Sequence, residues 1–174
     1  MSASHASDLL IRPARETDAA RLLAIYRPFV EETAVSFETV TPTVDDFAAR
    51  IRKALEGWQW LVAEADGQCV GYAYGSTHRE RAAYRWSVEV SAYVAPSHRG
   101  RGLGKRLCTQ LLDELAARGY CNAYGGITLP NDASVALHRS VGFEPVGVFR
   151  SVGRKFDRWH DVAWLHKRIR AEPL

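Results

Sequence analysis

The sequence predicts a single α/β domain over residues 8–170, with a mixed, mostly antiparallel sheet and helices packed against it. Three observations lead there. The chain has 174 residues, 47% hydrophobic and 25% charged, which suits one domain with a buried core. Two β-rich runs flank the tight turn Asp66-Gly67 and read as a hairpin. Past them, β-rich and helix-periodic segments alternate before two final β-rich runs close the chain.

Taken in order, residues 1–7 are polar and read as a flexible N-terminus. Leu9 to Ile11 is a short apolar run and the first strand. Thr17 or Asp18 caps a helix whose Leu22, Ile25, Tyr26 and Phe29 share one face. Pro42-Thr43 introduces a second helix, with Phe47, Ile51 and Leu55 at fourfold spacing and Asp46 placed for a capping box with Thr43. WQWLVAEA and CVGYAYGSTH form the hairpin, and RWSVEVSAYV, residues 85–94, is another strand. The stretch HRGRGLGK follows, then a helix striped by Leu103, Leu107, Leu111 and Leu115 that stops near Gly119. AYGGITL is a strand, Asn131 to Val141 is a short helix ended by Gly142, and the runs around VGVFRSVG and DVAWLHKR complete the sheet.

The totals exclude several classes. Net charge is +3, too mild an excess to argue for nucleic acid. Cys69, Cys108 and Cys121 form no CxxC pair and read as reduced cysteines of a cytoplasmic protein. No signal peptide opens the chain, and no apolar run reaches membrane-spanning length. No His/Cys/Asp/Glu spacing suggests a metal: His98 and His138 lie on separate elements.

Residues 98–105, HRGRGLGK, pose the functional question. Glycine is costly to order, and clustered cations repel each other. A Walker loop fails, because Arg99 stands five before Gly104 and Arg106 follows Lys105. Gly100, Gly102 and Gly104 give GxGxG, which misses the Rossmann fingerprint. A nucleic-acid patch would lack an aromatic platform here, and a solvated surface turn leaves the glycines unexplained. The stretch joins a strand to the start of a leucine-striped helix, whose first-turn N–H groups have no intrahelical partners. Those groups, the helix dipole and Arg99, Arg101, Lys105 and Arg106 together make a cradle for a diphosphate.

Arg99 to Gly104 satisfies [QR]-x-x-G-x-[GA], and Asn131 with Gly142-Phe143 follows at the spacing of a second motif. In these features the chain resembles the GNAT superfamily of acetyl-CoA-dependent N-acetyltransferases, from about Leu10 to Lys167. Within it, five segments resemble the phosphinothricin and methionine sulfoximine N-acetyltransferase branch. They are SFETVTPT (36–43), HRERAAYRW (78–86), VEVSAYV (88–94), LPNDASVALHRSVGF (129–143) and GRKFDRWHDV (153–162).

The resemblance implies a GNAT fold in which splayed central strands hold acetyl-CoA as co-substrate. It also implies roles for particular residues. Glu89, on a strand face with Ser87 and Ser91, corresponds to the general base that neutralises the attacking amine. Backbone groups of Ala92, Tyr93 and Val94 lie beside the acetyl and pantetheine arm and polarise the thioester carbonyl. Arg99, Gly100, Arg101, Gly102, Leu103, Gly104 and Lys105 form the cradle, with Asn131 and Ser134 on the pantetheine or pyrophosphate arm; without a ligand, Asn131 reads as a helix N-cap. His138 stands where many superfamily members have a tyrosine general acid, and either protonates the leaving sulfur or only orients the cofactor. Arg79, Glu80, Arg81 and Tyr84 match the acceptor segment, where guanidinium groups bind carboxylate or phosphinate. Phe37, with Glu38, closes that pocket, and Val90 and Ser91 line it beside Glu89. Lys155, Trp159 and Asp161 are assigned to structure or a dimer contact.

The expected function is acetyl transfer to the α-amine of a small amino-acid analogue such as methionine sulfoximine, methionine sulfone or phosphinothricin, detoxifying it and conferring herbicide resistance, by a homodimer. Rivals are an acetyltransferase for peptide N-termini or polyamines, a non-catalytic acyl-CoA sensor and a nucleic-acid-binding module. Arg79 and Arg81 argue against a polyamine, and Glu89 with His138 against a sensor.

Overall fold

A computed structural model describes residues 9–174; the segment expected to be flexible, residues 1–7, lies outside the described residues. The sheet contains β1 (Leu9–Pro13), β2 (Trp60–Ala65), β3 (Gln68–Thr77), β4 (Ser87–Val94), β5 (Asn122–Thr128), β6 (Glu144–Lys155) and β7 (Arg158–Arg168). Their spatial order is β1-β2-β3-β4-β5-β7-β6. All neighbours run antiparallel except β4 and β5. That parallel contact requires a crossover, which α3 (Leu103–Ala117) supplies.

Helices cover both faces. Against one face, α1 (Ala19–Glu31) and α2 (Val44–Gly57) bury Leu22, Phe47 and Ile51 on Trp60, Val62 and Tyr72. Against the other, α3 buries Leu107, Leu111 and Leu115 on Val88, Val90 and Leu165, beside the short α4 (Asp132–Ser140). Each such leucine contributes about 1.5–3 kcal/mol by leaving water. Alternation along β4 divides its side chains: Val88 and Val90 enter the α3 core, so Glu89 and Ser91 face the α1–α2 side.

The capping box appears as read, with Thr43 Oγ1 accepting the Asp46 N–H at 3.1 Å. The first helix has Asp18 as its N-cap residue, one of the two expected, but no side-chain bond caps it there. A 3-10 turn, Glu16–Asp18, precedes it, and the N-cap of that turn is Arg15. The Asp18 carboxylate accepts the Arg15 N–H at 2.8 Å and pairs with Arg12 at 2.8 Å. The Arg12 guanidinium holds that carboxyl below its usual range. Asp18 therefore caps the turn and ties it to β1, a contact that spacing alone does not reveal.

The feature that positions the site is a parting of strands. β4 and β5 pair over Ser87–Glu89 with Asn122–Tyr124, and no β4–β5 pairing follows Glu89. Glu89 thus stands at the apex of a V whose open edges expose backbone groups to the interior.

Candidate active site

Around Glu89 the sheet register assembles side chains distant in sequence. Ser76 of β3 is its partner on one side and Tyr124 of β5 on the other. His78, two residues past Ser76 on the same face, sets Nδ1 3.0 Å from Glu89 Oε1. Its ring lies flat on Tyr124, centroids 4.3 Å apart at 10°, and meets Tyr84 edge-on at 5.8 Å. Burial pushes the Glu89 carboxyl above its usual value, while the hydrogen bond from His78 and the charges of His78 and Arg79 pull it back. The group stays partly exposed, so it remains open to a ligand. His78 escaped sequence reasoning as a site residue; β-alternation from Ser76 would have found it once the β3–β4 register was known.

Past the apex, a slot of about 50 Å³ opens between the strands, with Ser91, Ala92, Gly126, Thr128 and His138 on its walls. It continues into a groove of about 560 Å³ between the end of α1, β4 and the N-termini of α3 and α4. Val35, Ala92, Tyr93, Asn131 and Ser134 line both. The Tyr93 ring itself turns away, packing edge-on against Tyr26 at 5.1 Å and Phe29 at 5.0 Å, so this residue presents backbone to the groove.

At the outer end the glycine-rich stretch takes the conformation its composition requires. Gly100 and Gly102 have φ of +72° and +75°, the left-handed region that L side chains rarely occupy. Gly102 is the N-cap of α3, and the first ladder bond runs from Arg106 N–H to Gly102 O at 3.1 Å. The amides of Leu103, Gly104 and Lys105 consequently have no intrahelical acceptor. No acidic residue occupies that first turn. Leu103 sends its side chain into the core, and a Cβ on Gly104 would meet Leu137 of α4 at 3.1 Å. Arg99 donates from Nε to Val94 O at 3.1 Å and lies over the Phe29 ring, bracing the loop. Lys105 lines the groove, whereas Arg101 and Arg106 are exposed and do not. Free amides and the Lys105 cation, with no carboxylate in that first turn, fit a diphosphate, and Glu32 lines the α1 side of the groove.

Asn131 caps α4: its Oδ1 accepts the Ser134 N–H at 3.1 Å. Its side-chain amide donors remain uncommitted where it lines the groove. His138 is not on the helix surface; it is 5% exposed. Its Nδ1 lies 2.8 Å from Ser134 O, an acceptor only, so the neutral ring carries its proton on Nδ1. Nε2 is buried without a partner, and a Cβ on Gly125 would lie 2.7 Å from it. Glycine at 125 is what allows the ring to lie there. Burial lowers the His138 pKa despite the bond to Ser134.

The expected acceptor residues are only partly gathered. Arg79, Glu80 and Arg81 sit exposed in the connection between β3 and β4, and Arg79 is near enough for its charge to act on Glu89. Val90 is buried toward α3 while also lining the slot. Phe37 packs against His160 and over Gly153 of β6, and Val35, two residues earlier, lines the slot instead. The connection bearing both is pinned by buried Lys155, whose Nζ donates to Val30 O at 2.6 Å and Ser36 O at 2.7 Å. Among the described residues no cluster of three His, Cys, Asp or Glu is placed to hold a metal, and no helix is long and apolar enough to cross a membrane.

A parallel strand pair that parts beside a glycine-rich helix start, above a long groove, defines an acetyl-CoA-binding acyltransferase fold. Residues 11–164 match the acetyltransferase (GNAT) domain family, and the chain belongs to it. It is therefore an acetyl-CoA-dependent N-acetyltransferase. It is 39% identical to a phosphinothricin N-acetyltransferase of Streptomyces coelicolor, over 94% of this chain and 98% of that one. It is 35% identical to the L-methionine sulfoximine/L-methionine sulfone acetyltransferase of Salmonella typhimurium, over 92% and 95%. The structure of a phosphinothricin acetyltransferase from Sinorhizobium meliloti in complex with acetyl-CoA superposes with a TM-score of 0.90 at 32% identity, covering 95% and 93%.

Proposed function

We propose that this enzyme acetylates the α-amine of small amino-acid analogues of the methionine sulfoximine, methionine sulfone and phosphinothricin class, with Glu89 as general base, and so detoxifies them. One observation carries the reading: a carboxylate with raised proton affinity stands at the apex of the parted strands, between the groove and Arg79. The likeness to the Streptomyces and Salmonella enzymes supports the acceptor class.

Bound acetyl-CoA supplies a thioester whose C–S bond breaks as the amine N–C bond forms. Glu89 takes a proton from the ammonium, leaving a neutral nitrogen to attack; His78 holds the carboxylate in place. Backbone N–H groups of Ala92 and Val94, on the β4 edge left unpaired by the parting, polarise the carbonyl, while the Tyr93 N–H faces β3. The amides of Leu103, Gly104 and Lys105 hold the diphosphate, and the Asn131 amide donates to the arm between. His138, neutral and with Nε2 shut against Gly125, shapes the slot and orients the cofactor rather than protonating sulfur. The nitrogen, positively charged after attack, loses its second proton to solvent as the amide forms, and the thiolate takes its proton from water. Arg79 and Arg81 attract the acceptor's carboxylate or phosphinate.

A homodimer belongs to this reading. β6 is the sheet edge, and Val146 (63% exposed), Phe149 and Trp159 (63% exposed) form an apolar surface there that a second copy would cover. Lys155, by contrast, is structural, and Asp161 accepts from Arg150 and the Ser151 N–H.

The test is thiol release from acetyl-CoA with methionine sulfoximine, methionine sulfone, phosphinothricin, ordinary amino acids, a polyamine and short peptides. Turnover concentrated on the sulfur and phosphorus analogues is expected. Turnover with peptides or polyamines alone would discard the acceptor class and keep the fold and cradle.

A further inference from the structure

A second cavity lies beside Glu89 on the same face of the sheet, and none of the chemistry above uses it. It occupies about 340 Å³ between α2 and β2–β3, at the small end of the range for ligand pockets. Tyr26, Phe47, Trp60, Tyr72 and Tyr74 form its walls. These rings are held by one another: Trp60 stacks on Tyr74 at 4.3 Å and on Tyr72 at 5.3 Å, and Phe47 meets Trp60 edge-on at 5.5 Å. Two exposed cations of α2, Arg50 and Lys53, stand at its rim, with Ser76 and Thr77 at the β3 end. Ser76 is the cross-strand partner of Glu89, so the cavity opens one strand away from the carboxylate.

We propose that this aromatic cavity is the side-chain subsite of the acceptor, selecting amino acids with an apolar stem that ends neutral or anionic. The proposal rests on the acceptor reading above and adds the specificity determinant. An amine at Glu89 leaves the acceptor's own side chain within reach of the Ser76 end, and aromatic walls reward burial of an apolar stem. Aromatic faces also attract cations, so charge decides the rest. Arg50 is engaged by Glu38 through two contacts of 2.9 and 2.5 Å. Lys53 makes no ion pair among the described residues, leaving net positive charge at the rim. A lysine-like or polyamine tail is thereby disfavoured.

The experiment measures kcat/KM for glycine, leucine, phenylalanine, methionine sulfone, glutamate and lysine with the wild type and two variants. Ala54 is buried and lines the cavity, so Ala54→Phe fills it. That variant is expected to lose about tenfold or more on leucine, phenylalanine and methionine sulfone, with glycine and the acetyl-CoA KM changed less than about twofold. Lys53→Glu, an exposed change, is expected to raise the lysine-to-glutamate ratio severalfold. An equal loss of Ala54→Phe on glycine and the larger acceptors, or no loss on either, would overturn the subsite while leaving acetyl transfer to amino acids standing. If Ala54→Phe does not fold, an unchanged lysine-to-glutamate ratio in Lys53→Glu overturns it alone. Failure of the wild type on every amino acid overturns both this subsite and the acceptor class beneath it.

Discussion

Two opposing influences meet at the carboxyl of Glu89. Burial raises its proton affinity, while the His78 hydrogen bond and the nearby positive charges favour the anion. A base must be ionised to work, so activity rises with pH through this raised value and falls below it. Glu89→Gln removes the acceptor for the ammonium proton and is expected to lower kcat about 10²- to 10⁴-fold at neutral pH, with the acetyl-CoA KM little changed. His78→Phe removes a group that favours the anion, so the acid limb of kcat/KM is expected to move to higher pH while the alkaline plateau is largely kept. Steady-state pH profiles read both; an acid limb unmoved in His78→Phe would leave that histidine a packing role beside Tyr124.

The elements around the site each solve a local problem. The turn before α3 needs two left-handed residues within three positions, and glycine supplies both at 100 and 102. Around each of them a Cβ would meet no atom within 4 Å, so the constraint is backbone conformation and the space is left for a ligand. Gly102→Val forces a β-branched residue to φ +75°, at a cost of roughly 1–2 kcal/mol or more. The acetyl-CoA KM is therefore expected to rise about tenfold or more, with the acceptor KM changed less. Unaltered cofactor kinetics in that variant would contradict the cradle. On the other side of the sheet, Lys155 replaces water with two carbonyls, those of Val30 and Ser36, and thereby fixes the connection that brings Val35 to the slot. Its pKa is lowered by burial and partly restored by the charge of Glu38.

At the scale of the whole molecule, the chain fills both faces of its sheet with helices but leaves one edge, β6, carrying exposed valines and Phe149. An edge strand with apolar side chains is a surface for self-association unless it is covered. Light scattering of the purified protein is expected to give twice the chain mass, and Phe149→Glu with Trp159→Glu is expected to shift the population toward one chain. A wild type that stays at one chain mass at micromolar concentration would remove the homodimer from the proposed function.

Much of this protein could be read in its sequence, because local rules govern what was read. The leucine stripe of α3, the Asp-Gly hairpin and the Thr43–Asp46 capping box depend on residues three or four apart. The cradle is legible for the same reason: its glycines and free amides occupy one continuous stretch. Element order and the glycine motif together pointed to the family, and Glu89 to the strand on which it lies. What only the tertiary structure decided is whatever depends on register between distant segments. The parting of β4 from β5 at Glu89, the bond from His78, and the turning of Phe37 toward His160 in place of the slot all arise from contacts across strands. The inward burial of His138 against Gly125 belongs with them, since a helix-surface position and a buried one share the same local sequence rules. Local propensity is written in neighbouring residues, whereas the proton affinity and orientation of a side chain are set by groups that folding brings from elsewhere in the chain.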